Sequence, residues 1–270
     1  MLFLWPMKLL IAFTFLLILG ACSSYNRVLK SDDYTEKFVM ANTLYDKGQF
    51  DRSVALYEQV YQRMPKSSEG EVAYYRLGKA FYAIEDWYMA SYYLSAFSAR
   101  FPFSPKCEET LFLSALCAVQ NSPEASLDQS ETEAALNELQ NFVTRYPGSA
   151  WMDTCNQVMD QLRFKLETKD VLSIRLYAKT ENYRAATVAA ESFLESYPIS
   201  GYREEVSAIL LRNSYLLTIN SVTTKLEERI KKTRERYNVF LAEFPESTYL
   251  REFDNYLGKL DAIVVPKTTP

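Results

Sequence analysis

Five of the ten prolines recur with the same neighbours, and this phasing constrains the fold of the 270-residue chain more than any other feature. Pro65, Pro102, Pro147, Pro198 and Pro245 are separated by 37, 45, 51 and 47 residues. The residue before each is Met64, Phe101, Tyr146, Tyr197 or Phe244, and five before each stands Val60, Phe97, Phe142, Phe193 or Phe240. Two after each comes a serine, Ser67, Ser104, Ser149, Ser200 or Ser247; twelve before each is a small residue, Ser53, Ala90, Ala135, Ala186 or Thr233. Apolar residues four apart share a helix face, and a proline just past a helix end stops it. The serine is placed to cap the next helix by accepting a backbone N–H bond, with Pro105 where first-turn prolines are favoured. The small residue lets two helices approach closely. The period is that of a helix-turn-helix unit repeated five times.

The columns resemble the tetratricopeptide (TPR) repeat. In the second unit Leu77-Gly78, Phe81, Trp87, Ala90 and Pro102 match its pattern, as do Ala41, Leu44, Gly48, Phe50 and Pro65 in the first. The third unit carries a polar insertion, Asn121 to Ser130. In the fourth, Trp151 to Thr180 reads as one long first helix; in the fifth, Thr224 to Phe244 reads as a long second helix. Ser247 to Ala262 is expected to close the stack, leaving a frayed tail at 263–270. The expected fold is all-α, five TPR-like units in an elongated superhelical solenoid, each burying its apolar face against its neighbours.

Composition removes other classes. Hydrophobic residues make up 48% of the chain and charged ones 24%, enough apolar surface for a sizeable core. There is no histidine, so triads with an imidazole base and histidine-ligated zinc are excluded. The net charge of −4 offers no general attraction to nucleic acid, and the seven scattered glycines form no phosphate-cradling loop. No cofactor or metal is expected.

The first segment reads as an address. Met7-Lys8 precedes an apolar run from Leu9 to Leu19, too short to span a bilayer, ending in Leu19-Gly20-Ala21-Cys22-Ser23-Ser24. An ordinary signal peptide would leave Cys22 an incidental thiol. Leu-Gly-Ala-Cys instead resembles the lipobox of bacterial lipoproteins, which implies removal of 1–21, acylation of Cys22, and a soluble body on a lipid leash at 22–32. Met7 is an alternative initiator. Cys107, Cys117 and Cys155 are expected to be small buried hydrophobes.

On TPR geometry, first-helix side chains line the concave face: Phe38, Asn42 and Tyr45 in unit one, Val72, Tyr75, Lys79 and Tyr82 in unit two. An aromatic groove with amide and lysine groups suits an extended peptide or its terminal carboxylate; the alternative is that the rings only pack repeats together. The run from Glu227 to Arg236 reads as a solvated helix face with Glu227–Lys231 and Glu228–Lys232 pairs. Asp32-Asp33 and Glu108-Glu109 are adjacent, pointing about 100° apart on a helix, the wrong arrangement for shared acid–base work; they read as helix-start charges. No catalytic residue is assigned.

Lipobox, tether, five units and a long fourth first helix together resemble the BamD family, the lipoprotein subunit of the outer-membrane β-barrel assembly machinery. Tyr45-Asp-Lys-Gly48-Gln-Phe50, Phe81-Tyr82 to Trp87-Tyr-Met-Ala90, and Arg163-Phe-Lys-Leu166 to Leu176-Tyr177 carry the resemblance. Tyr25 to Asp32 and the loop Ser122 to Gln129 look like the Bacteroidetes form. The resemblance implies a non-enzymatic scaffold at the periplasmic face of the outer membrane. Its N-terminal repeats (33–104) would receive unfolded outer-membrane β-barrel proteins, and its C-terminal repeats (105–262) would dock the periplasmic domains of BamA. A periplasmic TPR lipoprotein adapting cell-envelope enzymes or proteases is the alternative.

Overall fold

The computed structural model describes residues 24–263, and the lipobox with Cys22 lies outside them, as does the tail from 264. Twelve helices and no strand occur among the described residues. Helix α1 covers 24–30. Then follow α2 (Tyr34–Asp46), α3 (Phe50–Arg63), α4 (Ser68–Ala83), α5 (Trp87–Arg100), α6 (Cys107–Asn121), α7 (Ser130–Arg145), α8 (Met152–Lys179), α9 (Tyr183–Ser196), α10 (Arg203–Ile219), α11 (Thr223–Glu243) and α12 (Leu250–Asp261). The long first helix of the fourth unit is the 28-residue α8, and the long second helix of the fifth is α11.

Each proline column has a physical result. Met64, Phe101, Tyr197 and Phe244 are helix C-caps with φ between −124° and −131°. Proline's ring disfavours the helical region for the residue before it, so the helix ends there. The serine N–H then donates to the carbonyl of the residue before the proline, closing a four-residue turn in all five units at 3.0–3.3 Å. Only Ser67 goes on to cap a helix from its N-cap position, accepting from Gly70 N at 3.0 Å. Ser104, Ser149, Ser200 and Ser247 accept from the N–H two residues on, ahead of the helix. Pro105 likewise lies before α6 rather than in its first turn, because the turn takes up one more residue pair there.

The small column, Ser53, Ala90, Ala135, Ala186 and Thr233, is buried to 1% exposure or less, as close helix approach requires. The aromatic column forms matching ring pairs: Phe97–Phe101, Phe142–Tyr146, Phe193–Tyr197 and Phe240–Phe244, with centroids 4.8–5.5 Å apart and planes tilted by 41–48°. Such tilted pairs add to the area they bury. Gly70 is required by packing, since a Cβ there would stand 1.8 Å from the Met64 carbonyl oxygen. Cys107, Cys117 and Cys155 are buried free thiols, and burial pushes Cys117 up to about 12.

Two expectations are corrected. The segment read as a tether is helical from residue 24 and docked: Val28 is fully buried, with Tyr25 and Leu29 packed on the same core as α2 and α3. Apolar residues at i, i+3 and i+4 supply the reason. The division also falls elsewhere than after residue 104. Of the described residues, one compact unit holds 24–123 with 130–159, and the other holds 124–129 with 160–263. The third repeat thus belongs with the first two, because α6 packs along α5 just as α4 packs along α3. The inserted loop is stapled by Gln129, whose side chain donates to the carbonyls of Glu124 and Leu127, and Lys169 of α8 donates to Ser126 O at 2.9 Å.

Candidate functional site

Phe38, Asn42 and Tyr45 on α2 and Tyr75, Lys79 and Tyr82 on α4 are equivalent positions 37 residues apart, and all six are half-buried. The helix period places each triplet on one stripe. Asn42 accepts from the Tyr57 hydroxyl at 2.8 Å and from Arg76 Nη1 at 3.1 Å; the same nitrogen donates to Asp46 at 2.9 Å. The Arg76 guanidinium lies 4.9 Å from the Tyr45 ring centroid, and that ring meets Phe50 edge-on at 5.2 Å. Tyr82 meets Trp87 edge-on at 5.2 Å, and Phe38 packs on the core beneath α1–α3. Val72 is half-buried one turn before Tyr75.

Lys79 and Tyr75 converge on Glu109 of α6. The ammonium donates to one carboxylate oxygen at 2.8 Å and to the Tyr75 hydroxyl at 3.2 Å; that hydroxyl donates to the other oxygen at 2.6 Å. Burial alone would raise the Glu109 carboxyl, but these two donors hold it below the usual carboxylate range. Burial would lower Lys79, yet Glu109 and Tyr75 leave it raised. Glu109 is therefore more than a helix-start charge, and Lys79 is already answered. An incoming carboxylate would have to share this lysine. At the place on α6 equivalent to Phe38 and Tyr75, Phe112 is covered by Trp151, stacked at 4.8 Å, whereas Leu116 and Val119, equivalent to Lys79 and Tyr82, stay half-buried.

The spacing columns missed these inter-repeat pairs, although a signal existed. A glutamate stands seven residues past three of the five prolines, at Glu109, Glu205 and Glu252. Each is met by a cation of the preceding first helix: Lys79, Arg175 and Arg212, the two arginines in bidentate fashion at 2.6–2.7 Å. Planar guanidinium suits this two-oxygen grip. A second rung links Glu71 to Ser104 and Lys106, and Glu167 to Ser200.

The charged run on α11 is also not merely solvated. In place of the expected Glu228–Lys232 pair, Lys232 reaches Glu191 of α9 at 3.3 Å, and Arg236 pairs with the same carboxylate. Arg234 pairs with Asp261, and Arg229 donates to the Leu217 carbonyl at 3.2 Å. A partner on another helix wins because these positions face α9, α10 and α12. Lys231 pairs within the helix, but with Glu235 at 3.9 Å in place of the expected Glu227.

Comparison with known proteins gives this architecture a family. A protein named outer membrane protein assembly factor BamD from Caulobacter vibrioides is 23% identical over 160 residues, 59% of this chain and 52% of its own; the chain thus spans about half the length of that relative. The BamD of Neisseria meningitidis serogroup B is 24% identical over 262 residues, 91% of this chain and 94% of its own. Among solved structures, a thermophilic TPR protein of Thermus thermophilus covers 83% of this chain and 98% of its own at 16% identity, with a TM-score of 0.33. The family model YfiO, described as outer membrane lipoprotein, matches residues 30–228, from the end of α1 into α11. The chain belongs to the YfiO family of outer membrane lipoproteins.

Proposed function

We propose that the protein is a non-enzymatic scaffold for outer-membrane protein assembly, anchored through acylated Cys22 and facing the periplasm. It receives unfolded β-barrel proteins on its N-terminal repeats and docks the periplasmic domains of BamA through its C-terminal ones. The observation that carries this reading is the near full-length match to a protein named as a BamD assembly factor, at 94% of that protein's length. The half-buried rings of α2 and α4 support the client role, since aromatic side chains offer contact area at little conformational cost. Action is then binding and release, with no covalent step.

Affinity purification of the membrane-anchored protein in mild detergent is expected to recover BamA. Recovery of cell-envelope enzymes or proteases without BamA would overturn the reading. For the client face, Tyr75→Ala with Tyr82→Ala is expected to weaken binding of an unfolded barrel's C-terminal peptide about tenfold, the loss of about 1.4 kcal/mol, with circular dichroism unchanged. Undiminished affinity in the folded double variant would remove α4 from the client site.

A further inference from the structure

Helix α1 is held at both ends. Near its start, the Tyr25 hydroxyl donates to the Arg52 carbonyl at 3.2 Å, and the Arg52 guanidinium lies 4.3 Å from the Tyr25 ring centroid. Val28 is fully buried in its middle. At its end, the Lys37 ammonium donates to the Leu29 carbonyl at 3.0 Å and to Gln59, and it lies 5.2 Å from the Tyr34 ring centroid. Lys37 is only 4% exposed, and lysine is almost never buried without such partners. A buried cation on a helix's last carbonyls is also the favourable end of that helix's dipole.

These contacts set the direction of α1. Residue 29 lies beside Lys37, whereas Tyr25 lies beside Arg52, so α1 runs antiparallel to α2. Its first residue, Ser24, lines a groove of about 400 Å³ that runs along α2 from Glu36 through Val39, Met40 and Thr43 to Lys47 in the α2–α3 turn and Arg52 at the start of α3. Cys22 is two residues from Ser24, at most about 7 Å of chain.

We infer that α1 fixes the orientation of the first repeat on the membrane, with the α2–α3 turn (Lys47-Gly48-Gln49) set against the phospholipid surface and the α3–α4 turn (Pro65-Lys66) directed away from it. The inference rests on the proposed acylation of Cys22. The two turns are separated by α3, whose 14 residues span about 21 Å, roughly two and a half Debye lengths at physiological salt. The α2–α3 turn is suited to the interface: Lys47, Gly48 and Gln49 are exposed, and Val39, at 59% exposure, stands one helix stripe away. Lysine stems lie along apolar surface while the ammonium reaches the headgroups.

The test uses the full-length acylated protein in vesicles of phosphatidylethanolamine and phosphatidylglycerol. A fluorophore is placed at Lys47→Cys or Lys66→Cys, the three native body cysteines being buried. Quenching by a lipid carrying a headgroup nitroxide is expected to be several-fold stronger at position 47 than at 66. Val28→Asp, which undocks α1, is expected to erase the difference. Equal quenching at the two positions, stronger quenching at 66, or a difference that survives Val28→Asp overturns the inference. Intact mass separates the two levels. An acylated mass with equal quenching overturns the orientation alone, while an unmodified mass overturns the anchor and the orientation with it.

Discussion

Glu252 shows how a single residue holds two repeats together. Its carboxylate takes both bonds of the Arg212 guanidinium at 2.7 Å and a third from the Tyr256 hydroxyl at 2.5 Å. Hydrogen bonds from Arg212 hold it below the usual carboxylate range, against the opposing effect of burial. Both partners are about one-third exposed, so solvent screening limits the gain. Glu252→Gln is expected to cost about 1 kcal/mol, at the upper end for pairs of this exposure because the geometry is bidentate. A double-mutant cycle with Arg212→Met checks this: a coupling near zero would mean the pair is ornamental. The position was readable as a column seven past the proline. Its partner was not, because nothing in the local pattern says which of the cations forty residues away it will meet.

At the scale of elements, the turns between the two helices of the first, second and fourth units share one left-handed position. Gly48 has φ +73°, and Glu85 and Glu181 take φ values of 62° and 58° in the same place, two residues before Phe50, Trp87 and Tyr183. A non-glycine residue in this left-handed region costs about 1–2 kcal/mol. Glu85→Gly and Glu181→Gly should each raise stability by about 0.5–1 kcal/mol, the remainder being offset by glycine's greater freedom when unfolded. Urea unfolding checks it through a higher midpoint with an unchanged slope. The second-helix ends were legible because proline acts on its immediate neighbour. Helix α1 was not: its Tyr25, Val28 and Leu29 stripe is too short to stand out until α2 and α3 are present to bury it.

For the whole molecule, ionisation sets a stability plateau. Ser104 holds Glu71 low, and Arg212 holds Glu252 low; Glu109 and Glu191 are pushed up by burial but held low by their cations. Their stabilisation is present above the unfolded carboxylate value of about 4.3 and is lost as pH falls through the lower folded values. Burial raises Tyr57, Tyr93, Tyr197 and Tyr256 to about 12. That contribution is present below about pH 10 and is lost as pH rises towards the folded values. The chain has no histidine, so calorimetry should find the melting temperature nearly flat from about pH 5 to 9, falling on either side. A step between about pH 6 and 7.5, where only an imidazole would ordinarily titrate, would contradict this. Compactness, too, belongs to this scale: the boundary within α8, at 159–160, interrupts no helix and so leaves no composition shift to read.

The recurring prolines, aromatic pairs and small residues were enough to define an all-α repeat and the places where its second helices stop, because each acts over a few covalent bonds or one helix turn. The docking of α1, the commitment of Lys79 to Glu109 and of Lys232 to Glu191, and the division into two compact units came only with the tertiary structure. Their partners lie on other helices, mostly thirty or more residues away across turns and insertions of unequal length, and a charge or an apolar stripe carries no local mark of which neighbour will cover it.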